Sequence, residues 1–357
     1  MHLKELGWNS FFDSHFLDEQ TTGCVPARVS EEIKGFYRVL AEEGEYLAQI
    51  AGRVRYRAEE RSDFPAVGDW VVVVPRPSEG RARIAAILPR RSTLSRKVAG
   101  RAIDEQILAT NLDTVFIVTS LNQEFKLRRI ERYLALVWQS GAQPAVLLNK
   151  ADLCADADLA LSEVERIAPG APVHTLSATT GHGLDSVRRY LSGGQTAAFI
   201  GSSGVGKSTI INALRGDALQ RVQSVRLSDD RGRHTTTSRQ MIVLPDGGVV
   251  VDTPGMRELQ LWESDAGLSQ AFEDLEALGR GCRFRDCQHR GEPGCAIPQA
   301  IEDGTLPRER LENYQKMQAE LRFLETKTDP EAQRAVKERW KKLCKAQKRG
   351  PKKYDRE

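Results

Sequence analysis

The chain has 357 residues, enough for two or three domains, and its 52 lysines and arginines nearly balance its 49 aspartates and glutamates. A formal net charge of +3 excludes a uniformly basic surface, so any nucleic-acid-binding face requires local clustering of cations. No apolar run is long enough to span a membrane, and the N-terminal segment MHLKELGWNSFFDSHF lacks an apolar signal core, which predicts a cytoplasmic protein without membrane contact.

The first predicted elements are short β-strands between residues 36 and 90. The segments FYRVLA, EYLAQIAG, DWVVVV and ARIAAIL are separated by turns rich in Glu, Gly and Pro. About five strands of this length predict a small β-barrel, and an OB-fold is such a barrel that often binds nucleic acid. A purely structural barrel fits the same pattern equally well.

A basic segment, LPRRSTLSRK, follows the barrel strands. Beside a nucleic-acid-binding barrel its cations favour contact with RNA phosphates, and a solvated linker is the alternative. These cations are Arg90, Arg91, Arg96 and Lys97.

Between Asp113 and Gly255 apolar segments alternate with helical ones. The segments DTVFIVTS, PAVLLN, VHTLS, AAFIG, MIVL and GVVVDT have the continuous apolar character of buried parallel strands. Helical spacing in LRRIERYLALVWQSG and DLALSEVERIA separates them, so this region is predicted to be a doubly wound α/β domain. Beyond about Leu268 the pattern becomes helical and charged.

The segment GSSGVGKST fits the phosphate-loop pattern GxxxxGK[ST] and stands between a predicted strand and a predicted helix. Glycines let the backbone wrap around phosphates with its N–H groups pointing at the anion. Lys207 supplies a cation for the β and γ phosphates, and Ser208 supplies a hydroxyl for Mg²⁺. The predicted loop comprises Gly201, Ser202, Ser203, Gly204, Val205, Gly206, Lys207, Ser208 and Thr209.

The tetrapeptide Asn149, Lys150, Ala151, Asp152 ends the predicted strand PAVLLN, where an α/β sheet places its ligand crevice. Guanine presents an N1–H beside an exocyclic amine, and the carboxylate of Asp152 can accept from both. Adenine lacks this pair of donors, so the loop predicts specificity for guanine. We expect Asn149 to tie this loop to the phosphate loop and the stem of Lys150 to cover the base.

Two further segments extend the predicted site. Ser177 and Ala178 follow the strand VHTL, where a backbone N–H can reach the guanine O6. Asp252 ends the strand GVVVD and is predicted to hold Mg²⁺, while Gly255 offers its N–H to the γ-phosphate.

The polar segment DDRGRHTTTSRQ, residues 229–240, is predicted to be a mobile loop. One of Thr235, Thr236 and Thr237 is expected to complete the Mg²⁺ shell, and the central Thr236 is the working assignment.

The motifs occur in the order base loop, second base loop, phosphate loop, threonine segment and DTPG, whereas the phosphate loop ordinarily comes first. A pocket depends on where strand ends lie in space, and circular permutation is tolerated where chain termini lie close together. We therefore predict a circularly permuted GTPase domain whose DTPG end leads directly into a cysteine-containing module, on which nucleotide-dependent movement can act.

That module contains three cysteines and one histidine within a short window. Three thiolates and one imidazole predict one closed, structural Zn²⁺ site with no coordination position left for water, and a small core of reduced cysteines is the alternative. The predicted ligands are Cys282, Cys287, His289 and Cys295. The remaining cysteines, Cys24, Cys154 and Cys344, are expected to be ordinary thiols.

These features together resemble the ribosome small-subunit-dependent GTPase A family. The resemblance rests on NKAD, GSSGVGKST, GRHTTT, DTPG and the cysteine–histidine cluster, and it covers nearly the whole chain. It implies an OB-fold barrel within residues 1–100, a permuted P-loop GTPase domain over 101–268 and a zinc-binding helical domain over 269–357. The implied role is late maturation of the 30S ribosomal subunit, with GTP hydrolysis stimulated by that subunit and contacts to 16S rRNA.

The position after DTPG, where many switch GTPases carry a glutamine that orients water, is Met256, which cannot do this. His234 in GRHTTT is the candidate replacement, and the resemblance points to the same residue. A contact with rRNA or solvent is the alternative for His234.

The C-terminal segment AQRAVKERWKKLCKAQKRGPKKY is dense in Lys and Arg, which favours contact with rRNA phosphates over a merely solvated face. No heptad or apolar stripe requires an oligomer, so we expect a monomer. Two other functions fit the motifs: a nucleotide-dependent RNA-binding switch whose hydrolysis is incidental, and a P-loop ATPase or kinase, which requires that ATP bind in place of GTP.

Overall fold

The computed structural model of the chain describes residues 2–19, 23–97, 105–122, 125–216, 239–245, 247–252 and 265–328. It begins with a 3-10 turn, Leu3–Leu6, and helix α1, Ser10–Glu19. Among these described residues, no helix combines the length and the apolar character that crossing a membrane would require.

A barrel of five strands follows α1: β1 (Val25–Ile33), β2 (Phe36–Ala41), β3 (Gly44–Ile50), β4 (Trp70–Arg76) and β5 (Arg81–Ile87), with helix α2 (Gly52–Arg57) after β3. The strands pair in the order β1-β2-β3-β5-β4, and β1 also pairs with β4, which closes the barrel. Alternate residues of β2 point into its core. The predicted OB-like barrel is confirmed.

Strand β1 was not among the predicted elements, because only Ala27 and Val29 of its central residues are apolar and inward-facing. Its charged residues, such as Glu31 and Glu32, hide the strand pattern. Between Ala27 and Val29 lies Arg28, which is 1% exposed, so this strand buries a cation that sequence alone assigns to the surface.

The basic segment after the barrel is part of a two-stranded antiparallel sheet, β6 (Thr93–Lys97) and β7 (Glu105–Thr110), so the solvated-linker interpretation is wrong. The guanidinium of Arg90 binds both carboxylate oxygens of the fully buried Asp69, at 2.7 and 2.8 Å. Arg91 pairs with Asp113 at 3.3 Å. Arg90 is therefore a structural cation of the barrel, and the expected contact of this segment with RNA stays a prediction.

The second part of the sheet contains β8 (Thr114–Ser120), β9 (Gln143–Asn149), β10 (Val173–Thr175), β11 (Thr196–Ile200), β12 (Gln240–Val243) and β13 (Val249–Asp252). Their order is β10-β9-β8-β11-β13-β12. Each neighbouring pair in the series β10-β9-β8-β11-β13 is parallel, as predicted, whereas β12 runs antiparallel to β13.

Helices cover both faces of these strands: α3 (Leu127–Ser140), α4 (Ala157–Ile167), α5 (Leu184–Arg189) and α6 (Lys207–Arg215). Val115 and Ile117 of β8 belong to the core that contains α3 and α4. Phe116 and Val118 belong to the core on the opposite face, which contains α5 and α6. The buried strand β8 thus has two apolar faces, and the doubly wound architecture is confirmed.

The barrel and the α/β sheet are joined edge to edge. Glu31 of β1 pairs with Gln240 of β12, so the strands of both parts form one continuous 11-stranded sheet. This pairing fixes the barrel beside β12, the strand that begins at the last residue of the predicted polar segment 229–240.

The C-terminal part is helical, as predicted: α7 (Asp265–Ala271), α8 (Glu273–Gly279), α9 (Ile297–Glu302) and α10 (Arg308–Thr328). The cysteine-bearing loop lies between α8 and α9, and α10 packs against α3. The domain boundaries after residues 100 and 268 stay predictions.

Candidate nucleotide site and metal centre

The phosphate loop lies between β11 and α6, at the carboxyl end of a central strand. Gly201 and Gly206 have φ angles of 141° and 102°, which side chains disfavour. A Cβ at Gly206 would lie 2.2 Å from Asn149 Nδ2, and one at Gly201 would lie 2.2 Å from the carbonyl oxygen of Val118. Both positions therefore require glycine, for conformation and for close packing.

Lys207 is the first residue of α6, and its Nζ donates to the carbonyl oxygens of Gly201 and Ser202, both at 2.7 Å. Burial lowers the pKa of Lys207, and attraction by Asp252 partly opposes this. Burial raises the pKa of Asp252, against the effect of Lys207 and Arg215. A partly desolvated cation and a partly desolvated carboxylate thus adjoin the N-terminus of a helix, where a phosphate and a divalent cation can bind together.

The base loop and the phosphate loop meet through the side chain of Asn149, which is 2% exposed at the end of β9. Its Nδ2 donates to the carbonyl oxygen of Val205 at 2.8 Å, and its Oδ1 accepts from the N–H of Ala178 at 3.1 Å. Lys150, whose φ is 63°, donates from Nζ to the carbonyl oxygen of Gly204 at 2.9 Å. Three loops that are distant in the chain therefore share one site.

Asp152 lies in the 3-10 turn Ala151–Leu153 directly after β9, and it is exposed. Ser177 is 1% exposed, and its hydroxyl hydrogen-bonds with that of Thr179. The N–H of Ala178 donates to Asn149 in this structure, so a contact with the guanine O6 stays a prediction.

The other phosphate-loop hydroxyls, of Ser203, Ser208 and Thr209, belong to exposed residues. The remaining predicted site residues lie outside the described part of the chain: His234, Thr235, Thr236, Thr237 and Gly255, together with Met256 and the basic C-terminal segment.

Two residues that the sequence did not identify as part of the site contact the phosphate loop from α3. Arg129 Nη1 donates to Ser202 Oγ at 2.6 Å, and the side chain of Tyr133 also hydrogen-bonds with Ser202. Their spacing of four residues places them on one helix face, but nothing in the pattern indicates which loop this face meets.

The four predicted metal ligands converge after α8, with all ligand atoms within 4.8 Å of one another. Cys282 Sγ lies 3.9 Å from Cys295 Sγ, and His289 Nδ1 lies 3.6 and 3.5 Å from these two sulfurs. A tetrahedral zinc with Zn–S bonds of about 2.3 Å separates its sulfurs by about 3.8 Å. The donor set and spacing therefore fit one structural zinc ion, with Nδ1 as the histidine ligand atom.

The surrounding residues support the same interpretation. A backbone hydrogen bond at His289 lowers the pKa of Cys287, but burial and the neighbouring Cys295 and Cys282 raise it to about 12. A bound metal ion would favour the thiolate form that coordination requires. Gln315 of α10 donates to the carbonyl oxygen of His289 at 2.9 Å and holds the loop in place.

Comparisons with known proteins agree with this geometry. The sequence profile described as RsgA GTPase matches residues 87–262. The small ribosomal subunit biogenesis GTPase RsgA of Opitutus terrae is 46% identical over 356 residues, with 97% of each chain covered. The protein of the same name from Methanosarcina acetivorans is 43% identical over 338 residues, covering 95% of this chain and 90% of that protein.

Two solved structures are also similar. YjeQ from Thermotoga maritima is 29% identical with a TM-score of 0.62, covering 84% of this chain and 98% of that chain. YloQ, a circularly permuted GTPase, is 26% identical with a TM-score of 0.58, covering 84% of this chain and 96% of that chain. The reversed order of the base loop and the phosphate loop is thus shared with a protein of known permuted fold.

Proposed function

This chain belongs to the RsgA GTPase family and is a GTP hydrolase, and we propose that it acts as a late assembly factor of the small ribosomal subunit. The observation that supports a guanine-nucleotide site is the side chain of Asn149, which bonds both the phosphate loop and the second base loop. The family's relatives are named for small-subunit biogenesis, and the same partner is proposed here. It acts as a cytoplasmic monomer, and its reaction produces GDP and phosphate.

The guanine base is assigned to the loop that follows β9. Asp152 accepts from the N1–H and the exocyclic amine, the stem of Lys150 covers one face of the base, and the backbone of Ser177 and Ala178 lies beside O6. The exposure of Asp152 supports this role, because its carboxylate is accessible to a ligand next to Asn149.

The phosphates are assigned to the loop 201–209, with Lys207 beside the β and γ phosphates. Mg²⁺ is assigned to Ser208, Asp252 and one threonine of the polar segment, with Thr236 as the working choice. When bound, the ion neutralises charge on the phosphates. Gly255 contributes an N–H, and His234 orients the attacking water.

The second metal, one structural Zn²⁺, is assigned to the Cys3His cluster of the C-terminal part. This ion takes no part in GTP hydrolysis. Its role is to fix the loop between α8 and α9, whose exposed Phe284 and basic neighbours form a surface suited to RNA.

Contact with 16S rRNA is supported by the surface of the barrel. Helix α2 presents Tyr56, which is 92% exposed, between the exposed Arg55 and Arg57. A cavity of about 230 Å³ beside it is lined by Arg55, Arg61 and Arg239, among others. Exposed aromatic rings and guanidinium groups bind unpaired RNA through base stacking and phosphate contacts.

GTP turnover measured with and without isolated small ribosomal subunits tests the proposal. We expect the subunits to raise kcat, and we expect Asp152→Asn to shift preference from guanine towards xanthine nucleotides, which carry a carbonyl in place of the amine. Turnover that is indifferent to small subunits would instead favour an RNA-binding switch whose hydrolysis is incidental.

A further inference from the structure

Helix α3 passes beside the phosphate loop. Two of its side chains contact Ser202, the second residue of that loop. Arg129 Nη1 donates to Ser202 Oγ at 2.6 Å, and Tyr133, one helical turn later, hydrogen-bonds with the same serine. Tyr133 is 5% exposed, and both Arg129 and Ser202 are half-buried. Hydrogen bonds from a charged donor in such surroundings are stronger than bonds between neutral groups.

Ser202 is also bonded through its main chain, since its carbonyl oxygen accepts from Lys207 Nζ at 2.7 Å. The adjacent carbonyl of Gly201 accepts from the same ammonium group. The contact from α3 and the contact from the phosphate-binding lysine therefore meet on one residue. Movement of Ser202 would displace both the backbone that receives phosphates and the acceptors that hold Lys207.

Helix α3 is itself held firmly at neighbouring positions. Glu131 accepts from Arg310 Nη1 at 2.7 Å, and Arg132 forms two hydrogen bonds of 2.8 Å with the carboxylate of Glu320. Both partners belong to α10. A side chain carried by a packed helix is positioned more accurately than one carried by a loop.

We propose that Arg129 is a positioning residue for nucleotide binding, which through Ser202 holds the phosphate loop in the conformation that receives the phosphates shared by GTP and GDP. The inference rests on the proposed function in one respect, namely that this loop binds a guanine nucleotide. Because Arg129 acts on the loop rather than on the reacting phosphate, it affects the affinity for both nucleotides and leaves the chemical step unchanged.

The test compares affinities for GDP and a slowly hydrolysed GTP analogue, measured by calorimetry on the full chain, with steady-state turnover. Arg129→Ala should weaken both affinities about tenfold, as expected for loss of a charged hydrogen bond, with kcat at saturating GTP within about twofold of wild type. Arg129→Lys, which keeps a cationic donor, should recover part of the affinity.

A matched control is available on the same helix. Arg128 pairs with Glu312 across a surface where both side chains are more than half exposed, so Arg128→Ala should bind both nucleotides as wild type does. Ser202→Ala removes only the acceptor hydroxyl and leaves the helix intact. The double variant Arg129→Ala/Ser202→Ala should lose no more affinity than the weaker-binding single variant.

Three results would overturn this role. They are an Arg129→Ala variant with wild-type affinities, losses that add in the double variant, and a lowered kcat with unchanged GDP affinity, which would place Arg129 at the reacting phosphate. A wild-type protein that binds neither nucleotide would instead overturn the proposed function, and the role of Arg129 with it.

Discussion

Two buried arginines connect the GTPase sheet to its neighbours, and they do so with different partners. Arg28 of β1, 1% exposed, forms the barrel joint and donates only to neutral oxygens. These are the carbonyls of Leu6, Gly68 and Asn111 and the hydroxyl of Thr196. Arg310 of α10, 3% exposed, forms the C-terminal joint and binds the carboxylates of Glu131 and Asp274.

The surroundings shift the pKa values of the two guanidinium groups in opposite directions. Burial lowers the pKa of Arg28 to about 10, although Asp113 and Asp69 attract its charge. Burial also disfavours the charge of Arg310, but hydrogen bonds and attraction from Asp274 and Glu131 raise its pKa above the ordinary value. The barrel joint therefore stabilises its cation with carbonyl and hydroxyl dipoles, whereas the C-terminal joint pairs its cation with carboxylates. Loss of Arg28 would leave neutral oxygens without a donor, and loss of Arg310 would leave carboxylates without a cation.

Metal removal should have the largest effect, and it should act on the C-terminal part of the chain while leaving the barrel joint unchanged. Structural zinc sites contribute on the order of 10 kcal/mol to the folding of their modules, so a strong chelator should unfold the loop 280–296. The barrel joint contains no metal ligand and should keep its protection. Hydrogen exchange read by mass spectrometry checks both regions in one sample, and equal protection of the loop with and without chelator would contradict the prediction.

Replacing the arginine of the C-terminal joint should have the next largest effect. Arg310→Met keeps most of the side-chain volume but leaves Glu131, which is 2% exposed, as a buried carboxylate without its cation. We expect a loss of about 3–5 kcal/mol in the free energy of unfolding, measured with urea. The exposed neighbour Arg308 provides the control, since Arg308→Met should be neutral. Adding Glu131→Gln to Arg310→Met should recover part of the loss.

The same substitution in the barrel joint should cost less. Arg28→Met leaves carbonyl oxygens without a donor but no buried carboxylate, so we expect a loss of about 1–3 kcal/mol by the same urea measurement. Arg76→Met, at an exposed position of the barrel, is the control. If Arg28→Met destabilised the chain more than Arg310→Met, the proposed difference between the joints would be wrong.

The smallest effect is expected for a surface contact of the C-terminal joint. Arg128 and Glu312 lie 3.4 Å apart with side chains 57% and 55% exposed. Arg128→Ala should change the free energy of unfolding by less than about 1 kcal/mol, and by less still at high salt. A loss comparable to that of Arg310→Met would mean that burial does not decide the strength of these ion pairs.

Local sequence patterns predicted the elements that depend on neighbouring residues. The phosphate loop follows from glycine spacing between a strand and a helix, and the metal cluster follows from ligand types within a short window. The base loop was placed at the end of β9 because the apolar segment PAVLLN ends there.

The features that were missed depend on residues far apart in the chain. The pairing of Glu31 with Gln240 joins two polar positions, for which no hydrophobic pattern exists. Arg28 and Arg310 look like surface cations, because burial of a guanidinium depends on partners from other elements. The contact of Arg129 with Ser202 was missed for the same reason. The sequence of α3 shows which side chains share a helix face, but not that this face meets the phosphate loop.

The strand order also has a consequence for how the molecule is made. During synthesis the barrel and the strands β8, β9 and β10 emerge first, and β9 can add to an edge of β8 and β10 to the free edge of β9. β11 then extends the opposite edge of β8. The antiparallel hairpin of β12 and β13 comes last and closes the gap between β11 and the barrel strand β1. The nascent chain therefore cannot complete its nucleotide pocket until that hairpin unites two earlier-formed pieces.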